Sequence, residues 1–232
     1  MKTLGVCMKN ELNKISRRKK YRIMIAVTMC ITILGALMGL ITNGIISFSL
    51  QSYPYVILSL CCYLFVPFTS LMLASDLISS ECEKNELKLF LTRHISRTEM
   101  LFGKLTAITV YEFFLTAVNV ITALICSLIF SGFASVNILT VLLSIFISVI
   151  PMAVFVSFAG FISVLCKSGV SALKTGLAVY GGFTLLGHVF SRISSSVFTS
   201  YLTLYKMIIG QSVPVFRLIL GICVLLGFSL LF

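Results

Sequence analysis

The sequence has little charge and few polar side chains with which to cover a soluble surface. Only 11% of its 232 residues are charged, 59% are hydrophobic, and tryptophan is absent. A soluble domain is about a quarter charged. The composition therefore excludes a soluble enzyme, a disordered chain and a disulfide-linked secreted module, and it predicts a protein that crosses a membrane several times.

Two long stretches contain no charged residue at all, residues 23–75 and residues 113–166. One spanning helix needs about 20 residues, so each stretch holds two helices joined by a short turn. Unpaired backbone amides cannot face lipid, which favours helices throughout. The predicted fold class is therefore an all-α membrane protein with six transmembrane helices in one domain, residues 1–232. The predicted spans are 23–42, 55–75, 105–130, 138–165, 173–191 and 215–232.

Catalytic and metal-binding groups are scarce. The chain has seven acidic residues and two histidines, and none of its motifs is that of a zinc protease, a serine hydrolase or a phosphate-binding loop. The sequence therefore lacks the titratable groups that acid–base catalysis and proton-coupled transport need. No Cys/His spacing resembles a zinc site, and the eight cysteines are interpreted as small apolar packing residues. The sequence predicts no catalytic residue and no metal site.

Positive charge is in excess and lies mainly on one side of the predicted spans. The net charge is +11, and most basic residues precede the first span or follow the second and fourth. The positive-inside rule places both termini in the cytoplasm. Anionic lipid headgroups, not nucleic acid, are the expected partners of these residues.

Residues 1–21 are predicted to form an interfacial amphipathic helix, because Leu4, Met8, Leu12 and Ile15 recur at helical spacing. Two interpretations stay open: an elbow helix that carries force into the bundle, or a basic anchor that only sets orientation.

Residues 76–104 hold most of the chain's carboxylates. They include two S-x-x-E sequences, which typically begin helices, so one helix is expected to begin near Ser80 and the helix of the third span near Ser96. Between them, leucines alternate with charged residues. This pattern predicts a short amphipathic helix on the cytoplasmic membrane face that serves as a docking surface; a solvated loop is the alternative.

Glu112 is the acidic residue that falls inside a predicted span. A charge at the bilayer centre costs about 3 kcal/mol or more. One interpretation is a buried carboxylate in a cavity or a coupling site. The other is a carboxylate that snorkels to the surface or pairs with a cytoplasmic base.

Small and aromatic residues suggest further contacts within the spans. Closely spaced glycines allow helices to approach in lipid, which makes Gly35, Gly39, Gly181 and Gly182 candidates for dimer packing, with packing inside one chain as the alternative. Aromatic residues that are candidates for lining a substrate cavity are Phe48, Tyr53, Tyr63, Phe65 and Phe68. The long, apolar loop at residues 192–214 is expected on the external side, where it could re-enter the membrane.

The segment at 76–104 resembles the ABC-2 type permease family. The resemblance is carried by Ser75-Asp76-x-Ile78-Ser79-Ser80-Glu81, a leucine-rich turn, Ser96-Arg97 and Gly103-Lys104. Asn85-Glu86 and His94 depart from the family pattern, which has Gly-Thr and Pro there. The six-span layout, the basic N-terminal helix and the long final loop extend the resemblance to the whole chain.

The resemblance implies a function. Such permeases pair as dimers in the bacterial plasma membrane and bind separate cytoplasmic ATPase subunits, which supply ATP and Mg²⁺; this chain would bind no cofactor itself. The segment after the second span would be the coupling helix. By this likeness the ATPase contacts would be Glu81, Glu83, Lys84, Glu86, Lys88 and Arg93.

Among small six-span members, the chain looks most like bacteriocin- or lantibiotic-immunity and phenol-soluble-modulin exporters. The implied function is ATP-driven export of amphipathic, antimicrobial or cytotoxic peptides from the cell or membrane. The alternative is a stand-alone membrane immunity or sensor protein that acts without ATP.

Overall fold

The protein is helical throughout the residues that the structure, a computed structural model, describes: 2–41, 52–83, 97–131, 137–189, 198–207 and 221–227. Six α-helices of more than two turns are found in these ranges. They are α1 Lys2–Arg17, α2 Lys19–Ile41, α3 Tyr53–Glu83, α4 Arg97–Ser131, α5 Ile138–Leu165 and α6 Gly169–Val189. A 3₁₀ helix, Phe198–Met207, and a short helix at residues 221–227 follow.

Four of these helices are long and apolar enough to cross a membrane. They contain the segments Lys19–Gly39, Tyr53–Glu83, Thr98–Phe130 and Ile138–Leu165, of 21 to 33 residues. At about 1.5 Å per residue, even the shortest spans the hydrocarbon core of about 30 Å. The first four predicted spans are thus confirmed as apolar helices, and the chain is a multi-pass membrane protein.

The last two spans stay predictions. Helix α6 covers most of the predicted fifth span, but it is not among the four segments that combine the required length and hydropathy. Of the sixth predicted span, only residues 221–227 are described, as a helix. The loop predicted at 192–214 is described only at Phe198–Met207, and its external position stays a prediction.

Helix α3 is the innermost span. In its most apolar stretch 61% of the residues are buried, against 17% in α2, which turns most of its surface outward. Helix α4 packs against α1, α2, α3 and α5, and α5 packs in turn against α3, α6 and the 3₁₀ helix. The core therefore lies between α3, α4 and α5.

Two wide π turns, Cys61–Phe65 and Ser75–Ser79, interrupt α3 without ending it. Pro67 follows the first and has no N–H to offer the carbonyl of Tyr63 four residues earlier. The hydroxyl of Tyr180 in α6 donates to that carbonyl at 2.7 Å. A side chain of the neighbouring helix α6 thus satisfies the backbone group that the proline leaves free.

The prediction of a helix beginning near Ser80 is wrong, because α3 continues through this residue to Glu83. The Ser80 hydroxyl donates back to the carbonyl of Asp76, so it does not cap the amides of a new helix. The described part of α4 begins at Arg97, and the second predicted start, near Ser96, lies outside the described residues and stays a prediction. The docking helix predicted between them lies mostly outside the described residues.

Candidate functional site

Two carboxylates near the end of α3 meet basic side chains from three helices. We call this set the charge cluster: Asp76 and Glu81 of α3, with Lys14, Arg18, Lys20 and Lys104. It lies at the end of the bundle where the chain's N-terminal bases are concentrated, and it joins α1, α2, α3 and α4.

Glu81 forms the buried half of the charge cluster. Its two carboxylate oxygens pair with the ammonium groups of Lys14 in α1 and Lys104 in α4. The side chains of Glu81 and Lys104 are each only 3% exposed, and Lys104 also donates to the carbonyl of Leu77. An ion pair so well shielded is tolerated only when its remaining hydrogen-bonding groups are satisfied, and here they have partners from three helices.

Asp76 forms the more exposed half. It pairs with Lys20 and, at 3.8 Å, with the guanidinium of Arg18, and it accepts a hydrogen bond from the hydroxyl of Tyr21. Tyr21 is in turn held by Tyr111 of α4, whose hydroxyl donates to the Tyr21 carbonyl at 3.0 Å. This half therefore fixes the junction between α1 and α2 against α3 and α4.

The wide turn at Ser75–Ser79 explains why the carboxylates of Asp76 and Glu81 both contact bases on the same side of α3. In a regular α-helix, residues five apart point about 140° away from each other. A π turn holds more residues per turn, which brings Asp76 and Glu81 round toward the same side, where both contact bases of the α1–α2 region.

The same end of α3 is also tied to α5 and α6. The Ser79 hydroxyl donates to the carbonyl of Ser163 at 2.7 Å. The Glu83 carboxylate accepts from the backbone N–H of Gly169 at 3.3 Å. A Cβ at Gly169 would lie 3.3 Å from the carbonyl oxygen of Ser75, so the close approach of α6 to α3 favours glycine there.

Glu11 of α1 is a functional candidate that the sequence interpretation missed. It is 6% exposed, and its Oε2 atom has no hydrogen-bond partner within the part of the chain that the structure describes. Burial raises the pKa of this carboxyl, against the lowering effect of Lys104 and Lys14. The sequence does carry a signal for Glu11, because it is the one acidic residue among the basic residues of 1–21.

The sequence matches a protein-family model over most of its length. The sequence model described as ABC-2 family transporter protein matches residues 7–184, well over half of the chain. The chain belongs to the ABC-2 transporter family. Membership makes it a transmembrane permease of an ABC transporter and implies an ATPase partner subunit. No curated protein matches the sequence.

The permease also has an uncharged polar layer deeper in the bundle. The amide of Asn119 in α4 donates to the hydroxyl of Thr28 at 3.1 Å and accepts from Thr32 at 3.0 Å, both in α2. The hydroxyl of Tyr53 in α3 donates to the carbonyl of Thr32. We call these four residues the neutral layer.

Glu112 of the permease is completely buried. Its carboxyl oxygens each lie 2.7 Å from the hydroxyl of Thr69 in α3. The interpretation that Glu112 snorkels to the surface is wrong, because its side chain is fully enclosed by the protein. Among the described residues no base forms an ion pair with it.

The aromatic residues predicted to line a substrate cavity are not gathered around one in the described part of the permease. Tyr53 and Phe65 are buried core residues, Tyr63 packs beside the second core cluster, and Phe68 is 43% exposed on the outside. Phe48 lies outside the described residues. A cavity lined by these residues stays a prediction.

The four glycines predicted for dimer packing have different surroundings. A Cβ at Gly35 would lie 2.8 Å from the hydroxyl oxygen of Tyr53, so Gly35 is packed within its own chain. At Gly181 and Gly182 an added Cβ would meet nothing within 4 Å. Gly39 is half-buried. A dimer contact at α6 stays a prediction.

The ATPase-contact residues are described only in part. Glu81 points into the charge cluster and Glu83 is exposed beside it. Lys84, Glu86, Lys88 and Arg93 lie outside the described residues. No group of His, Cys, Asp and Glu that could hold a metal ion is found within the described ranges.

Proposed function

We propose that this permease is the membrane subunit of an ATP-driven exporter of amphipathic, antimicrobial or cytotoxic peptides. A separate cytoplasmic subunit binds Mg²⁺ and ATP and hydrolyses the nucleotide. The observation that carries the proposal is the family match, together with the buried Glu81–Lys104 pair on the two helices that residues 84–96 connect in sequence.

The charge cluster gives this segment a mechanical connection. In the sequence, residues 84–96 connect Glu83, the last described residue of α3, to Arg97, the first described residue of α4. The buried pair of Glu81 and Lys104 joins those two helices directly. An ATPase that displaces the segment would therefore move α3 and α4 together and, through Lys14, move α1 with them. A ligand bound elsewhere would in this way bias the bundle between two states.

The peptide substrate is inferred from the family likeness and from composition. Charged side chains are nearly absent from the spans, and the outward surface of α2 is apolar. An amphipathic cargo suits such walls better than an ion or a sugar. We further propose a homodimer in the bacterial plasma membrane, with both termini cytoplasmic.

The first experiment identifies the partner. The tagged permease is purified from its native membrane in mild detergent, and co-purified proteins are identified by mass spectrometry. A stoichiometric ATPase with a phosphate-binding loop supports the proposal. A folded dimer with no ATPase would contradict it and favour a stand-alone immunity or sensor protein.

A second experiment tests coupling in the reconstituted complex. Glu81 is unsuitable for this purpose, because its exchange disrupts a buried ion pair. Lys84→Glu with Lys88→Glu changes the predicted docking segment, and Lys9→Glu with Lys167→Glu changes the same charge at exposed sites elsewhere. We expect peptide-stimulated ATP hydrolysis to fall roughly tenfold in the first variant only. Equal rates in both variants would place the coupling elsewhere.

A further inference from the structure

We infer that a cleft between α1, α2 and α4 binds an anionic phospholipid, with the lipid phosphate on Arg22 and one acyl chain along the cleft. The cleft has a volume of about 370 Å³ and is lined by residues that include Leu12, Ile15, Arg22, Ile25, Val110 and Phe114. We call it the Arg22 cleft. The inference does not depend on the proposed export activity.

The walls of the Arg22 cleft are apolar and open to the side. Val110 and Phe114 are 43% and 56% exposed on α4, a spanning helix, and Ile25 lies on α2 opposite them. Exposed apolar side chains on the outer face of a spanning helix face lipid tails. The apolar part of the cleft is therefore accessible to an acyl chain from within the bilayer.

The rim of the cleft is polar and positively charged. Asn13 and Ser16 of α1 lie there beside Arg22. Lys14, Arg18 and Lys20 all have carboxylate partners, whereas no carboxylate in the described part of the chain forms an ion pair with Arg22. A guanidinium at the membrane surface without a protein anion matches the two-pronged geometry of a phosphate.

Arg22 also borders a second, shallow surface on α2 itself, formed with Lys19, Ile23 and Ala26. Ile23 is exposed there, so this surface offers apolar contact beside a second basic residue. Arg22 thus lies between the Arg22 cleft and an apolar patch of the outer face of α2. A phospholipid, which has two chains diverging from one phosphate, fits this arrangement better than a peptide helix with a single apolar face.

The floor of the Arg22 cleft connects it to the charge cluster. Tyr21 and Tyr111 form part of the lining, with ring centroids 5.9 Å apart, and the Tyr21 hydroxyl donates to Asp76. A bound lipid would press on Tyr21 and favour its contact with Asp76. Bilayer composition would in this way influence the junction of α1 and α2.

The test uses the intact permease in nanodiscs of phosphatidylcholine containing phosphatidylglycerol, followed by native mass spectrometry of the released protein. Arg22→Gln is compared with Lys9→Gln, which removes one positive charge from an exposed position of α1. We expect retained phosphatidylglycerol to fall roughly fivefold in Arg22→Gln and little in Lys9→Gln. Equal losses would overturn the inference, because they would reflect net charge alone.

A second pair of variants tests the shape of the cleft without changing charge. Val110→Trp fills the cleft, and Ile121→Trp adds the same bulk three turns away on the same exposed face of α4. Loss of lipid retention only in Val110→Trp supports the inference. Unchanged retention in both would overturn it. A change of oligomeric state in Val110→Trp alone would also overturn it, since a second copy would then occupy the cleft.

Discussion

The end and the middle of the bundle join the same three helices by opposite chemistry. At the basic end, Asp76 and Glu81 hold α2 and α4 to α3 through charged pairs. In the middle, the neutral layer joins these helices through hydroxyl, amide and carbonyl groups only. The difference follows from depth. A charged side chain costs little free energy near headgroups and water but much more within hydrocarbon. There, neutral hydrogen bonds satisfy the polar groups instead.

The largest effect is expected from breaking the buried pair in the charge cluster. Glu81→Gln leaves Lys104 buried without a carboxylate, so we expect a loss of about 3–5 kcal/mol in the free energy of unfolding. Reversible unfolding in mixed micelles measures this loss. The double variant Glu81→Gln with Lys104→Gln should lose less than Glu81→Gln alone. A double variant that lost the sum of both single effects would show that the residues do not form a pair.

The neutral layer should respond more weakly and without regard to salt. Asn119→Leu removes its hydrogen bonds to Thr28 and Thr32, whose hydroxyls keep their backbone carbonyl partners. We expect a loss of about 1 kcal/mol in the free energy of unfolding. The same loss should be found at about 50 mM and about 500 mM salt, because no charge is involved. A loss that halves at high salt would refute the distinction between the two regions.

The exposed half of the charge cluster, in contrast, should depend on salt. Asp76 is 24% exposed in its side chain and Lys20 is 39% exposed, so their pair is partly screened. We expect Asp76→Asn to cost about 0.5–1 kcal/mol at low salt and clearly less at high salt. Asn keeps an acceptor for the Tyr21 hydroxyl. A salt-independent loss would mean that the charge itself contributes nothing.

The smallest effect concerns pH and Glu11. Burial raises the pKa of this carboxyl above its ordinary value of 4.5, so folding favours the protonated form. The stability that this preference contributes is complete below about pH 4.5 and is lost as the pH rises through the higher value in the folded state. We therefore expect Glu11→Gln to be more stable than the parent at about pH 7, with the difference vanishing near pH 4. Thermal unfolding of both proteins across this range checks the sign.

The sequence predicted the first four spans because their evidence is local. Charge-free runs such as residues 23–75 have lengths that membrane thickness dictates. The S-x-x-E pattern at Ser96 predicts a helix start that lies outside the described residues. At Ser80 the same pattern was misleading, because the helix was already formed and the hydroxyl bonded backward. The S-x-x-E pattern alone does not distinguish the first turn of a helix from its last turn.

The candidate site was predicted only as a segment. Asp76 and Glu81 stood out as acidic residues, but the sequence assigned Glu81 to a partner protein. Its partner Lys14 lies 67 residues away, and their meeting depends on how α1 folds back onto α4. Contacts of this kind follow from tertiary packing, and periodicity or spacing does not contain them.

The most direct test of the charge cluster is zero-length carbodiimide coupling in intact membranes, with cross-linked peptides read by mass spectrometry. This reagent joins an amine to a carboxylate only where the two are in contact, and Lys20 and Asp76 are accessible enough to react. We predict an amide bond between Lys20 and Asp76 that disappears in Asp76→Asn. Asp76 modified by an added free amine, with no bond to Lys20, would contradict the account that these charges hold the α1–α2 junction to α3.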